Sequence, residues 1–421
     1  MSGRSEVIFC THDSPTSLGG PFTWLRRLLP ALRDKGIDSR VLALTHYGGT
    51  GSVVEGLRDD GFEVDAVDCH DRTEDQIRWL VNQIGPNTPS VFVANFVISA
   101  LFAARWLKEK RVTTVGVLHS DDFYYRAIQD EFLFGAKAFQ LSEMVCVSER
   151  LTDEVMRKGF KATYIPYGVK VPDRQASLTP HRFRIAYVGR LAEEQKRISL
   201  VARALIEASR KIPGVEGIIF GDGPNRGDLL QILAEEGQGA NVHWGGPLKH
   251  EEVQKTLLDF QAITLLSDYE GLPISLLEGM ACGCIGICRN INSGIPQIIE
   301  TNKTGLLVSD DIQEFVQAVR YLYENREKAA NIALAGRQKI REKYSDDVSV
   351  DRWYHFLKSH MGLNRQGQIS LPRHLRLPAA NSQLESLEAR RRPDTPFKQR
   401  LRRFRILLGA LRRRCFAINK K

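Results

Sequence analysis

The sequence predicts an α/β protein built from two doubly wound, Rossmann-like domains in tandem, with a cleft between them. Along most of the 421 residues, short β-branched runs alternate with amphipathic helical stretches. Such alternation is typical of βαβ units that form a parallel sheet with helices on both faces. A polar stretch with two prolines at 171–181 interrupts the series once, and a second series begins at residue 183. We take this interruption as the boundary between two domains.

The predicted elements set the domain limits. Predicted strands of the first series lie at 6–11, 39–45, 62–68, 90–95, 113–120, 143–148 and 162–166, with helices at 21–35, 74–84 and 98–110. Those of the second series lie at 183–189, 215–221, 240–245, 261–267, 283–288 and 305–308, followed by helices at 310–325, 327–343 and 346–360. The sequence therefore predicts a first domain at 1–172, a linker at 173–182, a second domain at 183–344, a last helix at 345–361, and a linker with a basic tail at 362–421.

Composition narrows the class of protein. Hydrophobic residues make up 43% and charged residues 26% of the chain, which is ordinary for a soluble globular protein. No run reaches the ~18 apolar residues of a membrane-spanning helix, and the first residues lack the apolar core of a signal peptide, so we expect a cytoplasmic protein. The seven cysteines are scattered, as in reduced intracellular proteins. Cys282, Cys284 and Cys288 lie close together without a histidine or a fourth cysteine, so we expect no metal site there.

A Gly-Leu-Pro turn between two glutamates carries the most specific signal. Glu270 and Glu278 flank it, directly after the predicted strand at 261–267, and ligands of parallel sheets bind beyond the carboxyl ends of the strands. Pro273 fits the first position of a helix, whose free N–H groups and dipole would bind an anion. Carboxylates accept hydrogen bonds from hydroxyl groups. The pattern favours a ligand with a phosphate and several hydroxyls, and two solvated acids at a helix end are the alternative.

The second glutamate, Glu278, stands among apolar residues. A carboxylate buried there without a partner would cost several kcal/mol. A ligand that donates hydrogen bonds to it would remove this cost.

Two further strand ends in the second series carry weaker signals. Arg190 and Lys196 follow a strand that ends at Gly189, and they could neutralise a diphosphate. Taken alone, the stretch is more often an ordinary exposed charge run. The Gly-Asp-Gly stretch at 220–224 is by itself only a turn signal.

The first series offers a glycine pair and a histidine. Gly19 and Gly20 follow the first strand, where backbone N–H groups could approach a phosphate or a substrate closely. They do not form the G-x-G-x-x-G fingerprint, which argues against a nicotinamide enzyme. His119 lies at a strand end, where a structural role and ligand contact are both open.

Taken together, these stretches resemble one family, the retaining glycosyltransferases of family 4, often called the group 1 glycosyl transferases, which have the GT-B fold. The paired glutamates match the family's motif of two Glu with seven residues between them. The segments at 165–169, 187–197, 220–224 and 294–308 fall in the family's usual order. The resemblance covers about residues 6–360 and is strongest from 183 to 308.

The resemblance implies a role for each matching residue. Arg190 and Lys196 would hold the diphosphate of a nucleotide-sugar donor, and Glu278 would accept hydrogen bonds from the ribose. Glu270 would bind hydroxyls of the transferred sugar, with His119 beside that sugar at the reaction centre; these two and the two cations form the catalytic set. The implied donor-binding set comprises Gly19, Gly20, Gly189, Arg190, Lys196, Gly271, Leu272, Pro273, Ile274 and Glu278. The last helix would pack back on the first domain.

Three positions depart from the family pattern. Ser120 follows His119 where many relatives carry Asp. One extra residue precedes Lys196, so Lys196 and Arg197 are both open as the phosphate ligand. Tyr167 stands where Asn is usual.

The implied activity is that of a retaining hexosyltransferase that needs no metal ion or other cofactor. The expected donor is a UDP-sugar, with a GDP-sugar second, carrying a hexose or an N-acetylhexosamine. The expected acceptor is a glycan or a lipid-linked glycan of cell-surface polysaccharide or glycoconjugate synthesis. The alternative is a non-catalytic nucleotide-sugar-binding or membrane-associated scaffold subunit with the same fold. An epimerase would lack the paired glutamates, and a phosphorylase would need a pyridoxal-phosphate lysine, for which no motif is present.

The excess positive charge lies in the tail. From 373 to 421, fifteen Lys and Arg stand against three acidic residues, so the rest of the chain, whose total is +9, carries −3. Arginines surround apolar residues that recur with a 4-3-4-3-4 spacing: Phe397, Leu401, Phe404, Leu408, Leu411 and Cys415. The spacing predicts a basic amphipathic helix, which would contact an anionic membrane through 397–416 at the inner face of the cytoplasmic membrane. Nucleic-acid binding, which we disfavour, and an extension without function are the alternatives.

Overall fold

Two parallel β-sheets carry the fold, and both lie within residues 1–378. The computed structural model describes residues 6–14, 20–45, 49–68, 72–85, 88–176, 182–362, 367–378, 381 and 383–384. A second unit of the chain spans residues 379–421, and the predicted basic helix at 397–416 lies outside the described residues. Within the described ranges, every helix is too short or too polar to cross a bilayer.

The first sheet has seven strands, all parallel. They are β1 (Val7–Asp13), β2 (Ser39–Thr45), β3 (Val64–Asp68), β4 (Val91–Asn95), β5 (Thr113–Leu118), β6 (Glu143–Cys146) and β7 (Ala162–Tyr164). Their order across the sheet is β3-β2-β1-β4-β5-β6-β7. Strands β1, β4 and β5 are buried along their whole length, as expected for a parallel sheet that helices cover on both faces.

The second sheet repeats the same topology with six strands. They are β8 (Phe183–Val188), β9 (Val215–Phe220), β10 (Val242–Gly246), β11 (Ala262–Leu265), β12 (Ile285–Arg289) and β13 (Gly305–Val308), in the order β10-β9-β8-β11-β12-β13. In both sheets the strand order reverses beside the first strand, between β1 and β4 and between β8 and β11. Such switch points are where doubly wound sheets bind ligands. The predicted fold class, two tandem Rossmann-like domains, is confirmed.

The helices occupy the connections between the strands. Those of the first half are α1 (Gly20–Thr23), α2 (Leu25–Asp34), α3 (Ser52–Asp59), α4 (Thr73–Ile84), α5 (Ile98–Lys108), α6 (Phe123–Phe132) and α7 (Glu149–Arg157). Those of the second half are α8 (Glu193–Lys196), α9 (Ile198–Lys211), α10 (Arg226–Glu235), α11 (His250–Leu257), α12 (Ile274–Ala281), α13 (Ile295–Ile298), α14 (Ile312–Glu324), α15 (Arg326–Lys343) and α16 (Asp346–His360). A 3₁₀ turn at Lys137–Phe139 precedes β6.

The chain crosses between the two domains twice, and the two crossings lie side by side. The backbone N–H of Val169 donates to Tyr344 C=O at 2.9 Å, and the N–H of Asp346 donates to Val169 C=O at 3.1 Å. A Cβ on Gly168 would lie 2.7 Å from the Cα of Asp346, so only glycine fits at this crossing. We call residues 165–169 with 344–346 the hinge, because any movement of one domain against the other must pass through these two strands of chain.

After the hinge, α16 returns to the first domain. Its Trp353 is 2% exposed and packs against Phe9 of β1 and Trp24, with ring centroids 6.1 and 5.3 Å apart. The Ser349 hydroxyl donates to Pro166 C=O at 2.7 Å. The last helix of the second series therefore completes the core of the first domain.

Trp353→Ala should lower the free energy of unfolding by about 3–5 kcal/mol, because it removes a buried indole and leaves a cavity against β1. Calorimetric or chemical unfolding measures the change. His355→Ala, an exposed position two residues further along α16, should change the stability by less than about 0.5 kcal/mol. Equal stabilities for the two variants would show that α16 is not part of the first domain's core.

Candidate active site

The carboxyl ends of β5 and β11 meet at the cleft between the domains. A Cβ on Gly271, in the loop after β11, would lie 1.8 Å from the carbonyl oxygen of His119. A Cβ on Gly20, at the start of α1, would lie 2.5 Å from Cδ1 of Ile274. Only glycine permits the backbone approach at Gly271, and both loops of the first domain sit directly against the start of α12. Gly19 lies outside the described residues.

The start of α12 is held by backbone contacts. Gly294 N–H donates to Gly271 C=O at 2.9 Å, which fixes the loop before the helix. Pro273 is the N-cap residue, with φ −73° and ψ 111°, so the helix begins one residue later than the sequence predicts. The reason is that its backbone is extended rather than helical. Among the residues that the structure describes, no side chain caps α12, so its first N–H groups are available for an anion. Leu272, in the loop before the helix, is buried.

Glu278 is buried in the middle of α12, with 4% of its surface exposed, and burial raises the pKa of its carboxyl. Its partner is Arg27 on α2 of the first domain, whose Nη2 forms an ion pair with Oε1 of Glu278. Sequence reasoning missed this arginine. The two residues are 251 positions apart, and nothing in the local pattern of α2 links Arg27 to the second domain.

Glu270 is also buried and also paired. Lys196 Nζ lies 2.5 Å from Oε1 of Glu270, and the Ser267 hydroxyl donates to the same oxygen at 2.8 Å. The structure therefore brings three predicted residues, Lys196, Glu270 and Gly271, to one place at the end of β11. This arrangement places a carboxylate and an ammonium group side by side, with the Glu270 side chain 6% and the Lys196 side chain 17% exposed.

Lys196 and Arg197, between which the sequence could not choose a phosphate ligand, have different partners in the structure. Arg197 adopts the left-handed conformation, with φ 51°, and its guanidinium pairs with Asp310. Arg289 joins the same surface network through Asp268 and through Asp310, the latter at 3.0 Å. Because the backbone turns at Arg197, only the residue before it, Lys196, reaches Glu270.

Arg190 stands at the end of β8 beside a tightly packed turn. Its carbonyl accepts a hydrogen bond from the Tyr187 hydroxyl at 2.8 Å. A Cβ on Gly221 would lie 1.9 Å from the carbonyl oxygen of Gly189, so the turns after β8 and β9 touch. The Arg190 side chain is exposed, and its guanidinium makes no hydrogen bond or ion pair with any residue that the structure describes. It is therefore available to a ligand.

His119 has both ring nitrogens engaged inside the first domain. Nε2 lies 2.7 Å from Oδ1 of Asn95, and Nδ1 is bonded to the Tyr167 hydroxyl. Since Oδ1 only accepts, Nε2 carries the hydrogen and Nδ1 accepts from the tyrosine. Burial lowers the pKa of His119 to about 3, so the ring is neutral. The side chain is held structurally, and it is the backbone carbonyl that faces the loop after β11.

A small cavity adjoins these residues. Its volume is ≈ 30 Å³, room for about two water molecules. It lies between α2, β5, the hinge, α11 and α16, and its lining includes Trp24, Arg27, His119, Tyr167, His250 and Ile274. A nucleoside diphosphate does not fit in this space.

Comparisons with known proteins find similarity to glycosyltransferases. Residues 172–339 match the family described as Glycosyl transferases group 1. This stretch holds Arg190, Lys196, Glu270 and Glu278, and it leaves the first domain unmatched.

Two curated relatives match part of the chain. The poly(ribitol-phosphate) alpha-N-acetylglucosaminyltransferase of Staphylococcus aureus (strain COL) is 27% identical over 165 residues, which is 39% of this chain and 33% of the relative. The putative colanic acid biosynthesis glycosyltransferase WcaL of Escherichia coli (strain K12) is 29% identical over 226 residues, 50% of this chain and 52% of the relative. The chain thus spans about a third of the length of the first relative and about half of the length of the second.

Solved structures show the fold more completely. The crystal structure of a mutant of S. aureus TarM in complex with fondaparinux, alpha-GlcNAc-glycerol and UDP has a TM-score of 0.67 at 13% identity, over 84% of this chain and 99% of that one. Anabaena HepE in complex with UDP and glucose has a TM-score of 0.67 at 16% identity, over 84% and 100%. The two-domain arrangement is the GT-B fold.

The neutral His119 makes stability depend on pH. Because the pKa of His119 is about 3 in the folded protein and about 6.5 in an unfolded chain, the unfolded state takes up the proton first as pH falls. The wild type should therefore lose stability between pH 6.5 and pH 3, by up to about 1.4 kcal/mol per pH unit from this group. Urea unfolding at pH 7, 6 and 5, compared between the wild type and His119→Gln, measures the difference.

The variant should show the shallower pH dependence over this range. His355→Gln, at an exposed position, should follow the wild type. Parallel curves for the wild type and His119→Gln would contradict the buried, neutral state of the ring.

Proposed function

We propose that the protein is a glycosyltransferase that moves a sugar from a nucleoside-diphosphate sugar to a glycan or lipid-linked acceptor in cell-surface polysaccharide or glycoconjugate synthesis. One observation carries the proposal. Two buried glutamates, Glu270 and Glu278, flank an uncapped helix N-terminus at the cleft between two Rossmann-like domains, with Lys196 beside the first of them. The family match over 172–339 and the names of the relatives support the same reaction class.

The diphosphate of the donor would lie at the positive end of this site. Arg190 is exposed and unpaired among the described residues, Lys196 is at the cleft, and the first N–H groups of α12 carry the positive end of a helix dipole. Negative charge grows on the diphosphate as the glycosidic bond breaks. Fixed positive groups that face this charge lower the barrier, which is electrostatic catalysis without a resident metal ion.

The two carboxylates would accept hydrogen bonds from hydroxyl groups of the donor. Glu278, deeper in the helix, would bind the ribose, and Glu270 would bind the transferred hexose or N-acetylhexosamine. Glu270 is bonded to Lys196 and Ser267, an arrangement suited to positioning hydroxyls rather than to nucleophilic attack. Transfer with retention would then use front-face attack: the acceptor oxygen bonds to the anomeric carbon as the diphosphate leaves, and a phosphate oxygen takes the acceptor's proton.

A UDP-sugar is our first choice of donor and a GDP-sugar the second. UDP is the nucleotide bound in the TarM and HepE structures, which share the fold. The alternative, a subunit that binds nucleotide sugars without catalysis, would bind the nucleotide and show no transfer or hydrolysis of the sugar. Release of UDP from UDP-glucose and UDP-N-acetylglucosamine distinguishes the two.

Glu278→Ala should abolish nucleotide binding without unfolding the protein. Loss of hydrogen bonds from two ribose hydroxyls to a charged acceptor, about 1.5–3 kcal/mol each, corresponds to at least a 100-fold weaker affinity. Calorimetric titration with UDP and with GDP, on the wild type and the variant, measures this. Circular dichroism and the melting temperature establish that the variant is folded.

Glu327→Ala, at an exposed position on α15, is the matched control and should bind like the wild type. Wild-type affinity in Glu278→Ala would remove the carboxylate from the donor site. Absence of binding of both nucleotides to the wild type would remove the proposed donor class.

The basic tail would bring the enzyme to its acceptor at the inner face of the cytoplasmic membrane. The proposal rests on the sequence pattern, an apolar stripe at 397–411 within a segment rich in arginine. A basic amphipathic helix binds anionic lipid through both features, with about 1 kcal/mol from each Lys or Arg near the surface.

Deletion of residues 397–421 should abolish co-sedimentation with vesicles of phosphatidylglycerol and phosphatidylcholine. The double substitution Leu401→Glu with Leu408→Glu keeps every arginine and breaks the apolar stripe, so it should lose most of the binding as well. Equal pelleting of the full-length and truncated proteins would rule out membrane contact through the tail. Retained binding in the double variant would assign it to charge alone.

A further inference from the structure

The side chain of Arg27, on α2 of the first domain, reaches the second domain at the proposed donor site. All three nitrogens of its guanidinium are engaged outside α2. Nη2 pairs with Glu278 on α12, Nε donates to Nε2 of His250 at 3.0 Å, and Nη1 donates to the carbonyl of Gly168 at 3.2 Å. Arg27 thus joins the first domain to two helices of the second and to the hinge itself.

The ion pair occupies the Glu278 carboxylate, which the ribose of the proposed donor would bind. The side chain of Glu278 is 5% exposed and that of Arg27 21% exposed, so the carboxylate has almost no access to solvent. A buried carboxylate is stable only when it is paired. Arg27 provides that pairing here, and the hydroxyls of a ribose would provide it in a donor complex. Both cannot use Oε1 of Glu278 in the same way at once.

The position of Arg27 also limits access to Glu278. The cavity of ≈ 30 Å³ beside Arg27 does not have Glu278 in its lining, and the side chain of Glu278 is 5% exposed with Arg27 bound to it. A nucleotide that contacts Oε1 of Glu278 therefore has to displace Arg27, and with it α2 of the first domain, from α12. That movement pulls Arg27 from Glu278 and His250, while the neighbouring Gly168 lies in the hinge about which the domains turn.

We propose that the Arg27–Glu278 ion pair is a latch between the domains, and that the nucleotide donor binds by exchanging its ribose hydroxyls for Arg27. This inference rests on the proposed function, because it assigns Glu278 to the donor. Its consequence is that Arg27 sets the donor affinity. When only a fraction of the protein is in the open state that binds the nucleotide, the apparent affinity is reduced in proportion to that fraction. A substitution that breaks the ion pair should raise the population of the open state and therefore the affinity.

The test is calorimetric titration with UDP and with GDP on the wild type, Arg27→Ala and Arg27→Gln, with the radius of gyration of each protein measured by X-ray scattering without nucleotide. Both variants should bind the nucleotide about 5- to 10-fold more tightly and should have a larger radius of gyration. Arg27→Gln keeps most of the side-chain volume and serves if the alanine variant does not fold. Arg26→Ala is the matched control, with the same charge change on the same helix.

Arg26 packs against Gly56 of α3 within the first domain, so its variant should resemble the wild type in both measurements. Unchanged or weaker binding by the Arg27 variants would overturn the exchange, and a weaker affinity would make Arg27 a ligand of the nucleotide. An unchanged radius of gyration would overturn the closing of the cleft by the ion pair. If neither the wild type nor any variant binds UDP or GDP, the proposed donor class is wrong and so is the proposed exchange. The radius of gyration would still show whether Arg27 holds the cleft closed.

Discussion

The cleft depends on one constraint, that a carboxylate buried in an apolar helix must be paired. Glu278 is 4% exposed among the buried residues Leu276, Leu277, Met280 and Ala281 of α12. A carboxylate in such surroundings would lose several kcal/mol without a partner. The partner is a cation of the other domain, and the pairing therefore ties the two domains together. The need to pair Glu278 in α12 therefore constrains the position of the first domain against the second.

Close backbone approach makes this pairing possible. Gly271 lies against the backbone carbonyl of His119, and Gly20 lies against the side chain of Ile274, so the loops of the two domains meet closely. A larger residue at Gly271 would collide with the backbone at His119 and separate the two loops. The backbone N–H groups at the start of α12, which no described side chain caps, lie next to this contact. An anion bound to them would therefore lie where the two domains meet.

Much of the fold follows from the sequence because its signals are local. The alternation of β-branched runs with amphipathic stretches fixes both sheets, and the predicted start of β8 at residue 183 agrees with the structure. The spacing of Glu270 and Glu278 around Pro273 places both on one loop-and-helix unit. What the sequence could not give are contacts across the chain. The sequence around His119 does not predict its hydrogen bonds to Asn95 and Tyr167, because these residues lie on other segments of the first domain.

The sequence could not predict two details of the site, the different positions of Lys196 and Arg197 and the role of Arg27, for different physical reasons. Lys196 and Arg197 are adjacent cations, and their separation into the cleft and the surface depends on the left-handed backbone at the second of them. Such a conformation is uncommon for arginine, so composition gives no hint of it. Arg27 stands in an amphipathic helix beside another arginine, where a solvated position is the ordinary expectation. Its role appears only when both domains are in place.

The charges of the site form a set that can be redistributed without leaving either buried carboxylate, Glu270 or Glu278, unpaired. In this structure Arg27 is paired with Glu278 and Lys196 with Glu270, while the Arg190 guanidinium has no partner among the described residues. A nucleoside-diphosphate sugar brings anionic phosphates and neutral hydroxyls. The hydroxyls can satisfy the two glutamates, and the phosphates can satisfy Arg190 and Lys196. In the proposed exchange Arg27 would be released and would move away with its domain. The site would then alternate between internal ion pairs and ligand contacts, and each arrangement would keep the two buried carboxylates paired.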